Sequence, residues 1–166
     1  QQRDRPQNDV AGHVEPCGTR VLDVGSGTGV LGVAALLLDP SASLVAVDVD
    51  PAAIAATRRT TELNGLGRRL LEVSHRSLVE VSVEHGPFDV VLANLLIPVI
   101  ESLGPSLAAV LAPGAHLVVS GLLSDPEAGQ LDRAIGAVQD AQLELTGVHE
   151  AQGWAAVVFR RTVPAI

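Results

Sequence analysis

Short apolar runs alternate with longer helical stretches along almost the whole chain, and this alternation limits the possible folds most. The runs that predict buried strands are Arg20–Val24, Ser43–Asp48, Leu70–Ser74, Phe88–Asn94 and Ala115–Gly121. The predicted helices are Gly29–Leu38, Pro51–Asn64, Ile97–Leu111 and Asp125–Ala141. Strands that alternate with helices favour a parallel sheet that is covered by helices on both faces.

Two further runs close the chain. Leu143–His149 and Trp154–Arg160 are joined by the short link Glu150–Gly153, which predicts a hairpin and an antiparallel last strand. The connection Ser74–Pro87 is left unassigned, with room for a short helix. We therefore predict an α/β domain with a seven-stranded, mostly parallel sheet whose last strand is antiparallel.

The length of 166 residues suits a single domain. We interpret residues 19–166 as that domain and the polar segment 1–18 as an arm or the remnant of a linker. The chain contains no methionine, so we expect it to be an excerpt of a longer chain or a shortened relative of one. Its sequence predicts no oligomeric state.

Charge and composition exclude several functions. The 11 basic and 19 acidic residues give a net charge of −8, which disfavours direct nucleic-acid binding. Aromatic residues make up 2% of the chain, too few for a base-stacking platform. The lone Cys17 forms neither an internal disulfide nor a thiolate zinc cluster, and we predict no metal site. With no leader peptide or membrane span in the pattern, we expect a cytoplasmic protein.

The strongest local signal is the glycine-rich loop that follows the first predicted strand, with Gly25, Gly27 and Gly29. Glycines there allow a tight turn and a close approach of the backbone to a ligand. Asp48 ends the second strand and Asn94 ends the fourth. Since parallel strands end at one edge of the sheet, the loop, the acid and the amide converge on one crevice.

Two nucleoside cofactors fit this loop. A dinucleotide is the alternative, because Gly27–Gly32 matches the G-x-G-x-x-G pattern. The pattern that begins at Asp23, acid-x-Gly-x-Gly-x-Gly, fits better. A carboxylate is unfavourable beside a pyrophosphate and favourable beside the ammonium and sulfonium groups of S-adenosylmethionine, so we predict the latter cofactor.

The chain resembles the catalytic domain of the PrmA-type class I methyltransferases, which methylate amino groups of a large-subunit ribosomal protein. The segments that carry the resemblance are Asp23–Gly29, Val47–Pro51, Glu62–Gly65, Pro87–Leu96, Ser120–Leu123 and Gly153–Trp154. The resemblance implies a Rossmann-like fold, S-adenosylmethionine as cofactor and a protein substrate. The resemblance also implies roles for individual residues, which follow from their positions in these segments.

The resemblance implies that cofactor contacts come from the loop and from the ends of the first four strands. They are Asp23, Gly25, Ser26, Gly27, Thr28, Gly29, Asp48 with Val49, Ser77 and Asn94. Asp48 would bind the ribose, and Ser77 would lie near the adenine, where many relatives have an acid. Asn94 would also line the transfer site as the catalytic residue.

Three alternatives stay open. The first is methylation of a small metabolite. The second is a non-catalytic domain that binds a nucleoside cofactor, because segment 1–18 contains neither the substrate-gripping domain nor the cofactor-covering segment of the resembling enzymes. The third concerns Trp154, which we interpret as a packing residue of the hairpin, with a substrate wall as the alternative.

Overall fold

The computed structural model describes residues 18–139 and 142–163. The predicted arm therefore lies outside the described residues except for Gly18. The strands are β1 (Arg20–Val24), β2 (Ser43–Val47), β3 (Leu70–Ser74), β4 (Phe88–Asn94), β5 (Leu111–Leu123), β6 (Leu143–Ala151) and β7 (Trp154–Arg161). The α-helices are α1 (Val30–Leu38), α2 (Pro51–Leu63), α3 (Leu78–His85), α4 (Ile97–Ala109) and α5 (Gln130–Val138).

The seven strands form one sheet in the order β3-β2-β1-β4-β5-β7-β6. The first five strands are parallel to one another, and β7 pairs antiparallel with both β5 and β6. The strand order reverses between β1 and β4, so the carboxyl ends of these two strands flank the crevice where ligands of such sheets bind. The predicted sheet and its antiparallel last strand are confirmed.

Apolar side chains on the two faces of the sheet pack against different helices. Leu22, Val24 and Val91 pack with residues of α3, α4 and α5 in the larger core cluster. Val21 and Leu44 point to the other face, where they pack with Leu36 of α1. Because neighbouring strand residues alternate between faces, a strand covered on both sides is a continuous apolar run, as β2 is from Leu44 to Val47.

Several predicted boundaries move. The helix predicted over Asp125–Ala141 is a 3₁₀ turn (Pro126–Ala128) followed by α5, because Gly129 takes a left-handed conformation between them; residues 140 and 141 lie outside the described part. The unassigned connection contains α3, which begins at the capping box of Ser77 and Glu80. Strand β5 starts at Leu111 rather than Ala115, since Leu111 pairs with Phe88.

Local signals explain the remaining boundaries near the site. Asp50 caps α2 by accepting a hydrogen bond from the backbone N–H of Ala52 at 2.8 Å. Gln152 and Gly153 both have positive φ and form the two-residue turn between β6 and β7.

Among the described residues, every helix is too short or too polar to cross a membrane.

Candidate functional site

The glycine loop is held against the end of β2. The backbone N–H groups of Gly25 and Ser26 donate to the carbonyl oxygen of Val47 at 2.8 and 3.2 Å. The N–H of Gly27 donates to Oδ2 of Asp48 at 2.9 Å. Gly25, Gly27 and Gly29 all have positive φ, a conformation that costs other residues energy, so the sequence pattern is needed for this turn.

Helix α2 supports the loop from behind. The side chains of Ser26 and Thr57 share a hydrogen bond of 2.9 Å, and the Thr57 hydroxyl also donates to the carbonyl oxygen of Gly27 at 3.2 Å. A methyl group added to Gly29 would lie 3.0 Å from Cα of Thr57. Thr57 is fully buried, and its role in holding the loop was not predicted from the sequence.

Asp23 is a buried carboxylate on β1, beside the first turn of α1, with 1% of its surface exposed. Its Oδ2 accepts a hydrogen bond from the backbone N–H of Gly32 at 3.0 Å. The cap residue of α1, Gly29, has no side chain, so Asp23 satisfies one of the free N–H groups that every helix start leaves. None of the ion pairs between described residues includes Asp23.

The environment of Asp23 opposes its ionisation. Burial raises the pKa of Asp23 from 3.8 to about 6, the hydrogen bond from Gly32 lowers it, and the nearby charge of Asp48 raises it further. A carboxylate in such surroundings gains stability from a cation placed beside it. The position of Asp23 at the glycine loop therefore fits a ligand with a positive group.

Asn94 stands exposed at the carboxyl end of β4, beside a bulge in β5. The bulge contains Gly121, whose φ is +78°. A methyl group added to Gly121 would lie 2.1 Å from Oδ1 of Asn94. The absence of a side chain at Gly121 thus leaves room for the Asn94 carboxamide, and bulges of this kind often shape sites next to strand ends.

Asn94 lines an open cleft of about 720 Å³ on the β5–β7–β6 side of the crevice. Its lining comes from the ends of β4, β5, β6 and β7 and from the start of α4: Asn94, Leu95, Leu96, Ser120, Gly121, His149, Glu150, Ala151, Trp154, Ala155 and Ala156. The glycine loop and Asp48 lie outside this lining. Site residues predicted from the sequence thus fall into two neighbouring places.

Leu95 connects these two places. A methyl group added to Gly25 would lie 2.3 Å from Cδ2 of Leu95, so this side chain packs directly on the glycine loop. Leu95 also lines the cleft. The loop and the cleft are therefore separated by one side chain.

Three of the predicted cofactor residues take no part in the hydrogen bonds that hold the glycine loop. Thr28 is exposed in the glycine loop, and Val49 is exposed directly after β2. The side chain of Val49 has no atom that can form a hydrogen bond. Ser77 caps α3, with its hydroxyl donating to Oε2 of Glu80 at 2.7 Å. Ser77 follows β3, at the same edge of the sheet as Asp48.

The cleft contains residues that sequence reasoning missed. Trp154 is 56% exposed and lines the cleft, although it was interpreted as a packing residue. Its position at the first residue after a tight hairpin turn is visible in the sequence, but the direction in which it points depends on pairing with β5. Ser120, His149 and Glu150 reach the cleft only through that pairing.

A cluster of ligand atoms on β3 and α3 is explained by ion pairs. Oxygen and nitrogen atoms of Glu72, Glu84 and His85 lie within 4.8 Å of one another. Arg76 lies among them, with its Nη1 2.7 Å from Glu84 and 3.1 Å from Glu72, and His85 Nε2 is 2.8 Å from Glu72. The guanidinium supplies the positive charge of this cluster, which ties α3 to β3.

Solved structures share this fold. A ribosomal protein L11 methylase from Lactobacillus delbrueckii subsp. bulgaricus matches with a TM-score of 0.73 and 27% identity, over 91% of this chain and 73% of that one. An RNA methyltransferase from Salinibacter ruber, solved with S-adenosyl-L-homocysteine, has a TM-score of 0.66 at 20% identity, over 89% and 84%. The chain has the Rossmann-like fold of the class I methyltransferases.

Curated relatives narrow this class to one family. A ribosomal protein L11 methyltransferase of Symbiobacterium thermophilum is 36% identical over 85% of this chain and 43% of its own length. That of Citrifermentans bemidjiense is 44% identical over 85% and 42%. The family profile "Ribosomal protein L11 methyltransferase (PrmA)" matches residues 11–162. The chain belongs to this family and spans less than half the length of these relatives.

The buried charge of Asp23 predicts a stability change. We expect Asp23→Asn to raise the free energy of unfolding at pH 7 by about 2–3 kcal/mol, because the pKa is raised from 3.8 to about 6 and each unit corresponds to about 1.4 kcal/mol. The amide oxygen still accepts from Gly32. Because the folded pKa lies above the unfolded value, the wild type loses stability as the pH rises from about 4 to about 6.

Urea unfolding between pH 4 and pH 7 measures this effect. The difference between Asp23→Asn and wild type should be smallest near pH 4 and reach its full size above pH 6. Asp125→Asn, a change at an exposed cap residue, is the matched control and should show no such difference. Equal stability of wild type and Asp23→Asn at pH 7 would contradict the account of Asp23.

Proposed function

We propose that this chain is the catalytic domain of an S-adenosylmethionine-dependent enzyme that methylates amino groups of a protein, a ribosomal protein being the substrate named for its relatives. The single observation that carries the proposal is Asp23: a buried carboxylate without a cationic partner among the described residues, placed behind a glycine loop. The ammonium or sulfonium of S-adenosylmethionine supplies the missing positive charge.

Asp48 is suited to the ribose. Its Oδ2 accepts from the N–H of Gly27 and its Oδ1 from the N–H of Asp50, at 2.9 Å each. An ionised carboxylate has about four acceptor positions, so two stay free for the two ribose hydroxyls. The two backbone bonds fix the orientation of the carboxylate before the cofactor arrives, which reduces the entropy lost on binding.

The hydrogen bonds of the glycine loop argue against a dinucleotide as the cofactor. A loop that binds pyrophosphate offers backbone N–H groups to the phosphate oxygens. Here the N–H groups of Gly25, Ser26 and Gly27 donate to Val47 and Asp48 instead. Two carboxylates beside the loop would also repel a pyrophosphate.

Charge is distributed unevenly between the two edges of the sheet, in a way that suits a cationic substrate. The carboxyl-end edge, where the loop and the cleft lie, carries Asp48, Asp50, Asp125 and Glu150, with Arg76 after β3 as a basic residue. The opposite edge carries the acids Asp39, Asp89 and Glu144 and a larger number of arginines: Arg20, Arg68, Arg69, Arg160 and Arg161. An acidic rim attracts a lysine-rich partner and repels nucleic acid.

Asn94 is suited to align the acceptor. When bound, S-adenosylmethionine supplies a methyl group on a positively charged sulfur. The amine lone pair forms the new N–C bond while the S–C bond breaks, its electron pair stays on sulfur, and the amine then loses a proton. Oδ1 of Asn94 accepts a hydrogen bond from the amine N–H, which orients the lone pair. The amine must be neutral, and the apolar Leu95 and Leu96 disfavour its charged form.

The other predicted roles belong to the same proposal. Ser26, Thr28, Gly29 and Val49 complete the loop side of the cofactor site, and Ser77 lies on the adenine side. Residues 19–166 would form the catalytic domain, and the cytoplasm, where ribosomal proteins are made, would be its compartment.

Asp48→Asn tests the cofactor site. The amide keeps one acceptor but presents N–H groups to a backbone N–H, so we expect the affinity for S-adenosylhomocysteine to fall about 10–100-fold. Asp50→Asn is the matched control, because it removes a charge from the same turn while asparagine still caps α2. Equilibrium dialysis measures both. Equal affinities of the two variants would remove Asp48 from the site.

Asn94→Ala tests the acceptor role. We expect methyl transfer from labelled S-adenosylmethionine to a lysine-containing protein to fall at least about tenfold, because the amine loses its alignment. Because Asn94 is also a predicted cofactor contact, affinity for S-adenosylhomocysteine should fall too, but by less than the rate of methyl transfer. Asn64→Ala, at the end of α2, should change neither quantity.

Two outcomes would favour the alternatives. Equal transfer to free lysine and to protein would favour a small-metabolite methyltransferase. Cofactor binding by the wild-type chain without transfer to any lysine-bearing protein would contradict amino methylation and leave cofactor binding as the function of this chain.

A further inference from the structure

Helix α2 buries two residues completely, and both are threonines rather than apolar residues, Thr57 and Thr61. A buried hydroxyl without a hydrogen-bond partner destabilises a fold, so each hydroxyl needs one. Thr61 finds its partner inside the helix, where its Oγ1 donates to the carbonyl oxygen of Thr57 at 2.7 Å. The hydroxyl of Thr57 instead reaches out of the helix to the glycine loop.

The two hydrogen bonds of the Thr57 hydroxyl have a fixed direction. A carbonyl oxygen only accepts, so the single hydroxyl proton of Thr57 goes to the carbonyl oxygen of Gly27, 3.2 Å away. The hydroxyl of Ser26, 2.9 Å from Oγ1 of Thr57, is then the donor of the other bond. The proton of the Ser26 hydroxyl is therefore used inside the protein, and this side chain serves the site by supporting the loop.

Gly27 depends on hydrogen bonds for its conformation. Its φ is +55°, and a methyl group added to it would meet none of the described atoms within 4 Å, so there is open space beside its Cα. Its carbonyl oxygen accepts from Thr57, and its N–H donates to Oδ2 of Asp48 at 2.9 Å. Because these two bonds lie on either side of one Cα, loss of the first allows the backbone to rotate and weakens the second.

We propose that Thr57 is a positioning residue for the cofactor: its hydroxyl fixes Gly27, so that the Gly27 N–H orients the Asp48 carboxylate for the ribose. Helix α2 thereby connects the loop with the ribose side of the site, because it begins directly after the turn of Asp48 and Asp50 and carries Thr57 in its second turn. The inference rests on the proposed function, because it takes Asp48 to bind the ribose.

Substitution of the hydroxyl tests this role. Thr57→Val exchanges the hydroxyl for a methyl group of similar size and leaves the Gly27 carbonyl oxygen without its donor. We expect the affinity for S-adenosylhomocysteine, measured by equilibrium dialysis, to fall about tenfold. Thr57→Ser keeps the hydroxyl and should bind within about threefold of wild type.

Thr61→Val is the matched control. It removes an equally buried hydroxyl one turn farther along the same helix, and this hydroxyl makes no bond to the loop. Urea unfolding should show a loss of stability in both valine variants, while only Thr57→Val loses affinity. Equal affinities of Thr57→Val and Thr61→Val would overturn the proposal, as would a Thr57→Ser variant that binds no better than Thr57→Val.

A double variant tests whether Thr57 acts through Asp48. In an Asp48→Asn background the bond between Gly27 and the carboxylate is already lost, so we expect Thr57→Val to change the remaining affinity less than about twofold. A full tenfold loss in both backgrounds would contradict the proposed route through Asp48.

Hydrogen exchange of the Gly27 amide tests the same contact without a cofactor. We expect Thr57→Val to increase its exchange rate in the free chain about tenfold and Thr61→Val to leave it unchanged. Unchanged exchange in Thr57→Val would overturn the proposal. Failure of the wild type to bind S-adenosylhomocysteine would contradict the proposed function instead, and the exchange of Gly27 would still decide whether Thr57 fixes the loop.

Discussion

The site depends on the hydrogen bonds that tie the glycine loop to the end of β2. Val47 accepts from Gly25 and Ser26, and Asp48 accepts from Gly27. These bonds use the N–H groups that a phosphate would otherwise need, and they fix the Asp48 carboxylate toward the crevice. Gly25 also lies against Leu95, which lines the cleft, so the position of the glycine loop is tied to the position of the cleft.

Burial of Asp23 follows from the same arrangement. The loop turns so tightly that α1 starts without a capping side chain, and Asp23 supplies the acceptor from the neighbouring strand. The cost is a carboxylate held in apolar surroundings, which a positively charged ligand would offset. In the function we propose, this loss of stability in the free chain accompanies selectivity toward a positively charged ligand, a combination that is common at functional sites.

The sheet and the glycine loop were predictable from the sequence, for physical reasons. Buried parallel strands are apolar on both faces, so β1, β2 and β4 stand out as runs, and the glycines and Asp48 mark their ends. The cleft was not predictable, because Trp154, His149 and Ser120 come together only through the register of β5, β7 and β6. The start of β5 at Leu111 likewise depends on pairing with Phe88. The capping box at Ser77 was a readable signal for α3.

We infer that the glycine loop, Asp23 and Asp48 hold an adenosine whose 5′ carbon carries an amino acid with an ammonium group, and not a pyrophosphate. Calorimetric titration of the chain with S-adenosylhomocysteine and, separately, with NAD distinguishes these two kinds of ligand, because both contain adenosine and only NAD contains a pyrophosphate. We expect saturable heat with S-adenosylhomocysteine and none with NAD. Heat with NAD and none with S-adenosylhomocysteine would contradict this inference.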